Sequence, residues 1–140
     1  MNHTLAIIKP DAVSSGKAGR VLAALEDEGF KIRAARFARL DAEQAAAFYA
    51  VHRERPFFES LKAFMTSGPV LALALEREDA VAHLRRVIGA TDPAEAEPGT
   101  VRALFAENKE RNAIHASDSD DTARQELAFF FSQRELLGGA

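Results

Sequence analysis

The chain has 140 residues, too few for two comfortable domains and enough for one, since single cores run to roughly 100–150 residues before splitting. Hydrophobic residues make up 47% and charged residues 28%, a composition that supports a buried core and excludes a disordered or fibrous chain. Lys and Arg total 18 against 21 Asp and Glu, a net charge of -3 that draws the molecule neither to nucleic acid nor to anionic membrane, and the lack of cysteine excludes disulfides and thiolate metal sites.

The opening "MNHTLAIIKPDAV" has neither the basic n-region nor the apolar length of a signal peptide, and no run approaches the roughly 18 apolar residues of a membrane span. A cytoplasmic location with no membrane partner is expected. "TLAIIKP" reads as a buried strand stopped by Pro10, with Lys9 at its exit. Ala18, Val21, Leu22 and Leu25 repeat at helical spacing, and Gly29 stands where a left-handed cap belongs. "KIRAARFARL" alternates imperfectly, and the Gly-Phe stop before it favours a strand over a helix.

Asp41 with Gln44 makes a capping box for a helix to about residue 51. A second helix is expected from Pro56, with Phe57, Leu61 and Phe64 on one face and Gly68-Pro69 at its end. "VLALAL" is apolar at both parities and reads as a central strand. Ala80, Val81, Leu84, Val87 and Ile88 mark a helix closed by Gly89. "ATDPAEAEPGT" is the one long loop, and "VRALFAENKER" after it is ambiguous, with a helix as one reading. "NAIHAS" reads as a strand, followed by a helix from about residue 120 with Ala123, Leu127, Phe130 and Phe131 inward and a fraying tail "LLGGA". Four short strands alternating with helices suggest a two-layer arrangement, helices packed on one sheet. No repeat, low-complexity segment or linker interrupts residues 1–140, so one domain is expected.

In an extended "NAIHAS", Ala113, His115 and Ser117 would share a face, with Asn112, Ile114 and Ala116 opposite. Small neighbours leave space above the imidazole, and Glu126 on the next helix can reach back and hold its tautomer. A lone strand histidine is more often structural than catalytic, and "SDSDD" alone is an ordinary helix start. A Ser/His/Asp triad fails because Ser117 and Asp118 are too close in sequence to flank one imidazole. His3, His52, His83 and His115 have no metal-ligand spacing, "SDSDD" lacks the glycine and distal glutamate of a calcium loop, and no glycine-rich phosphate loop occurs.

"IIKPDAV", "ERPFFESL", "SGPV", "GATDPAEAEPGTVR" and "NAIHASDS" occur in the order and spacing of nucleoside diphosphate kinases, which the chain resembles from Thr4 to Phe131. The ensemble around N-x-x-H-x-S-D-S is the specific part. The resemblance implies a ferredoxin-like α+β fold, a four-stranded antiparallel sheet with helices packed on it. It implies transfer of the γ-phosphate of a nucleoside triphosphate to a nucleoside diphosphate through a phosphohistidine, with broad base and sugar tolerance. By that resemblance His115 is the nucleophile, Ser117 and Glu126 orient it, and Lys9, Tyr49, Arg85, Thr91, Arg102 and Asn112 surround the phosphates and ribose. Phe57, with Leu61 beside it, matches the surface on which the base stacks. Mg²⁺ is implied on the nucleotide phosphates, with Asp118 helping through water, and a homo-oligomer, tetramer or hexamer, is implied as the assembly.

Read without the resemblance, Arg85 and Arg102 are solvated charges, Tyr49 packs a helix, Thr91 turns a loop and Phe57 is helix core. Lys109 stands where the family commonly has an apolar residue over the base, and its aliphatic stem can serve there. Ala116 and Ala12 replace usual glycines. The rival expectation is a non-catalytic binding module on the same fold; an RNA-binding one would need basic and aromatic residues interleaved on strands that are aliphatic here.

Overall fold

Residues 1–138 are described by the computed structural model of the chain. The strands are β1 (His3–Ile8), β2 (Lys31–Ala38), β3 (Val70–Glu76) and β4 (Ile114–Ala116). They form one antiparallel sheet in the order β2-β3-β1-β4, the ferredoxin-like arrangement. The helices are α1 (Pro10–Ser14), α2 (Ala18–Asp27), α3 (Ala42–Phe48), α4 (Phe58–Met65), α5 (Ala80–Ile88), α6 (Val101–Phe105), α7 (Asp120–Phe130) and α8 (Gln133–Gly138). One-turn 3₁₀ helices lie at Ala50–His52 and Pro93–Glu95.

β1 and β3 are the two central strands, and their chemistry explains it: both are apolar at odd and even positions, so neither face can meet water. Ala6, Ile8, Leu73 and Leu75 point to one face and pack with Val21 and Leu25 of α2 and Leu84 and Ile88 of α5. Leu5, Ile7, Ala72 and Ala74 point to the other, with Phe58, Phe64 and Met65 of α4 and Leu127 and Phe130 of α7. Helices therefore cover both faces, and the two-layer expectation is corrected to three layers. Each fully buried Leu or Ile in these two cores contributes about 1.5–3 kcal/mol.

The expected capping box is present, Gln44 N–H donating to the Asp41 carboxylate and the Gln44 side chain accepting from Asp41 N–H. Gly29 has the expected positive φ of 88°. Four expectations change. Pro10 opens α1 as its first residue as well as ending β1, because its fixed φ suits that position. The helix expected from Pro56 begins at Phe58. The possible helix after residue 100 stops at Phe105. Leu136 and Leu137, expected to fray, lie in α8, whereas residues 139–140 of that tail are outside the described residues. Among the described residues no helix is long and apolar enough to cross a membrane.

Candidate active site

β4 pairs with β1, placing His115 opposite Ile7. Alternation sends Ile114 and Ala116 into the core beneath α2 and α5, and turns His115 to the other face. The strand is shorter than "NAIHAS" suggests, because Ala113 has a φ of 74° and Ile114 N–H donates to Asn112 O at 2.9 Å. This three-residue turn breaks the alternation, so Ala113 is buried beside Ile114 and does not share the histidine's face. A non-glycine residue there stores about 1–3 kcal/mol of backbone strain.

The imidazole sits against aromatic edges, 5.3 Å from the Phe48 ring and 6.0 Å from the Tyr49 ring, both T-shaped. His115 Nε2 lies 2.8 Å from Glu126 Oε1, and Ser117 Oγ donates to the same oxygen at 2.8 Å. An ionised carboxylate only accepts, so Nε2 carries the proton and Nδ1 keeps its lone pair. Glu126 is held on α7, which starts at a capping box between Ser119 and Thr122.

Three cations line the same cavity as this histidine, from three parts of the chain. Lys9, at the end of β1, is 7% exposed, and its Nζ donates to Asn112 Oδ1 at 2.8 Å. Burial, and then the Arg102 charge, lower its pKa to about 8. Arg102, on α6, is equally buried and donates to Ile114 O at 2.7 Å and Gly89 O at 3.0 Å. Burial, and then Arg85, lower its pKa to about 10. Arg85, on α5, is exposed on the cavity wall. Among the described residues none of the three forms a salt bridge with a carboxylate. Arg102, buried and bonded to two carbonyls, is not a solvated charge, whereas Arg85 is exposed.

Gly89 makes this arrangement possible. At φ 88° it turns the chain after α5, and a Cβ there would lie 2.6 Å from Thr100 Oγ1. Thr100 in turn caps α6 by accepting from Ala103 N–H. Asn112 Nδ2 donates to Thr91 O at 3.3 Å, closing the loop over the cations. The buried Tyr49 hydroxyl has no hydrogen-bond partner, and its pKa is raised by burial and then by the Glu126 charge.

These groups line one cavity of about 930 Å³, which extends from Glu126 past His115 to Phe57, Leu61 and Lys109. Phe57 precedes α4 and is 47% exposed, so it is not the core residue that helical spacing alone suggested. Of the candidate residues, ten line this cavity; Ser117 does not, and its hydroxyl donates to Glu126 instead. Asp118 lines it too and accepts from Thr122 Oγ1 at 2.8 Å. Among the described residues no three His, Cys, Asp or Glu are grouped to hold a metal ion. Phe48, His52 and Asp11 belong to the neighbourhood and were not anticipated, since they look like core, helix end and first-turn acid in the sequence.

The sequence matches the nucleoside diphosphate kinase family profile over residues 2–136. It is 53% identical to the nucleoside diphosphate kinase of Nitratiruptor sp., over 98% of this chain and 100% of that protein. It is 55% identical to the one from Acidiphilium cryptum, over 97% of each. The fold superposes on the Aquifex aeolicus nucleoside diphosphate kinase with a TM-score of 0.94 at 49% identity, covering 96% of this chain and 97% of that one. The Halobacterium salinarum nucleoside diphosphate kinase, solved in complex with CDP, gives 0.92 at 39% identity, covering 96% and 91%. A histidine with a bare nitrogen among unpaired cations, on a chain this close to such relatives over its length, leads to one conclusion: the chain belongs to the nucleoside diphosphate kinase family.

Proposed function

We propose that this phosphotransferase works by a ping-pong mechanism in which His115 Nδ1 is the nucleophile. The observation that carries the reading is the 2.8 Å contact of Nε2 with Glu126, which leaves the Nδ1 lone pair free on a ring that lines the cavity. In the first half-reaction the Nδ1 lone pair forms a bond to the γ-phosphorus. The bond from that phosphorus to the β,γ-bridging oxygen breaks, and the nucleoside diphosphate leaves with the electron pair. In the second, a β-phosphate oxygen of another diphosphate attacks the same phosphorus and returns the electrons to Nδ1. The proton stays on Nε2, which donates to Glu126 throughout, so the carboxylate stabilises the cationic phosphoimidazole, and Ser117 fixes the carboxylate.

Phosphoryl transfer is mostly positioning and electrostatics. Lys9, Arg85 and Arg102 supply charge to the phosphate oxygens, with donors from Tyr49, Thr91 and Asn112; Lys9 and Asn112 also reach the ribose. The base lies on Phe57 beside Leu61, where stacking tolerates any base. Asp118 lines the cavity with Glu110 and Glu126, and among the described residues no three ligand side chains are grouped to hold a metal, which suits a hydrated Mg²⁺ carried on phosphates. Mg²⁺ would neutralise phosphate charge there.

Such an exchange balances nucleoside and deoxynucleoside triphosphate pools in the cytoplasm. The 64% exposure of Phe37 on edge strand β2 supports a homo-oligomer, tetramer or hexamer, as the working form of this single domain. A binding module without chemistry would have no use for a bare imidazole nitrogen among unpaired cations.

The test is incubation with γ-labelled ATP. An acid-labile, base-stable protein label is expected, discharged by unlabelled GDP and absent from His115→Ala. No label in the wild type, or equal label in His115→Ala, would overturn the reading.

A further inference from the structure

We propose that Asp11 is a positioning residue for His115, acting through the strained peptide at Ala113; this rests on the nucleophile role proposed above. Asp11 touches neither the imidazole nor the cavity. Its carboxylate, 5% exposed, accepts from Ala113 N–H through Oδ2 at 3.0 Å. From the other side Lys9 N–H donates to Ala113 O at 2.8 Å. Both polar atoms of Ala113 are thus gripped by residues flanking Pro10, whose ring fixes the backbone between them.

The grip matters because Ala113 is held at a φ of 74°, a conformation that an alanine leaves when unsupported. Two consequential side chains depend on it. Asn112, on one side, bonds Lys9 Nζ, and His115 lies two residues beyond on the other. Because strand side chains alternate, relaxation of the turn by one residue's worth of register swings the imidazole away from Glu126 and the cations. A carboxylate suits the task better than a neutral acceptor, since a charge-assisted bond in a buried place is about twice as strong. Burial raises the Asp11 pKa, opposed by the Ala113 N–H.

The experiment measures the single-turnover rate of protein labelling from γ-labelled ATP, and KM for ATP, well below the melting temperature. The variants are Asp11→Ala, Asp11→Ser, Asp11→Asn, Ala113→Gly and the double variant Asp11→Ala/Ala113→Gly. Asp11→Ala is expected to label about 10²-fold more slowly with KM changed less than about threefold, the signature of a misplaced reacting group. Asp11→Ser, whose hydroxyl falls short of the amide, is expected to lose about tenfold and serves if the alanine variant does not fold. Asp11→Asn keeps an acceptor oxygen and should stay within about fivefold of wild type. Ala113→Gly holds positive φ without a clamp, so the double variant should recover about tenfold of the lost rate.

Asp11→Ala and Asp11→Ser labelling at the wild-type rate, whatever their melting temperatures, would overturn the proposal. So would a double variant no faster than Asp11→Ala. Absence of label in the wild type would instead defeat the nucleophile assignment itself.

Discussion

The two ends of the cavity are built on opposite rules. At the end proposed to hold the phosphates, Lys9, Arg102 and Asn112 are buried and fastened by hydrogen bonds to one another or to backbone carbonyls. At the end proposed to hold the base, Phe57 and Lys109 are exposed, and Ser60 Oγ donates to Glu110 across the cleft at 2.7 Å near the surface. Charge develops at the same atoms for every substrate, so fixed donors there lower the barrier each time. In the proposed function the base differs from substrate to substrate. A buried hydrogen-bonding group matched to one base would reject the others strongly, whereas an open ring face accepts all.

By that contrast, damage at the phosphate end should strike turnover and damage at the base end only binding. The largest effect is expected for Glu126→Ala. It strips the acceptor from both His115 Nε2 and the fully buried Ser117 hydroxyl, and the Nδ1-protonated tautomer then competes. Steady-state kinetics should show kcat down about 10²-fold, about 2.7 kcal/mol of barrier, with KM little changed. An unchanged kcat would mean the carboxylate is only packing.

Next in size is Gly89→Ala. The new Cβ at φ 88° meets Thr100 Oγ1, so either α5 or the α6 cap that carries Arg102 must shift. The expected loss is about 2 kcal/mol of stability, read as a fall in Tm of about 6 °C. Weaker phosphate binding should accompany it, because Gly89 O is also an acceptor for Arg102.

The sequence exposes these regions unequally, and for physical reasons. β1, β3 and helices α2, α5 and α7 follow from apolar periodicity, and the Asp41–Gln44 cap from a short motif. That Ser117 and Glu126 meet His115 follows from strand alternation and one helical reach. The Ala113 turn is invisible, because positive φ is announced by glycine and here the residue is alanine. α1 is hidden behind Pro10, which serves equally as a strand stop and a helix start. Periodicity says that β3 is covered on both faces but not by which helices, hence the missing layer. The cations lie far apart in the chain, and only the resemblance gathers them. Nothing about Asp11 separates it from an ordinary acid in a helix's first turn, and Phe48 reads as core because three other aromatic rings also touch it.

Lys9 gives a pH test of the phosphate end. Its folded pKa of about 8 lies below the ordinary 10.5, so between these values the unfolded chain binds the extra proton and stability rises with pH. Activity moves the other way, since the cation that meets phosphate is lost as pH climbs through about 8. KM for the nucleotide should rise about tenfold from pH 8 to pH 9.5, and binding in that range should take up a proton measurable by calorimetry in buffers of different ionisation enthalpy. Lys9→Arg should remove the inflection, because a guanidinium stays charged throughout.

The smallest effect belongs to the base end, and it tests the other half of the contrast. Phe57 is nearly half exposed and touches the His52 ring at 5.4 Å, so Phe57→Ala removes little buried surface and should leave Tm almost unmoved. Loss of the stacking face is worth about 1 kcal/mol, or about fivefold in KM, with kcat unchanged. The decisive feature is uniformity: GDP, ADP, CDP and UDP should all weaken by a similar factor, purines slightly more because their faces are larger. A loss confined to one base would mean that this end reads hydrogen bonds and not a π-face. The tolerance would then reside in Lys109 and Glu110 across the cleft, whose stem and carboxylate are the remaining groups able to discriminate there.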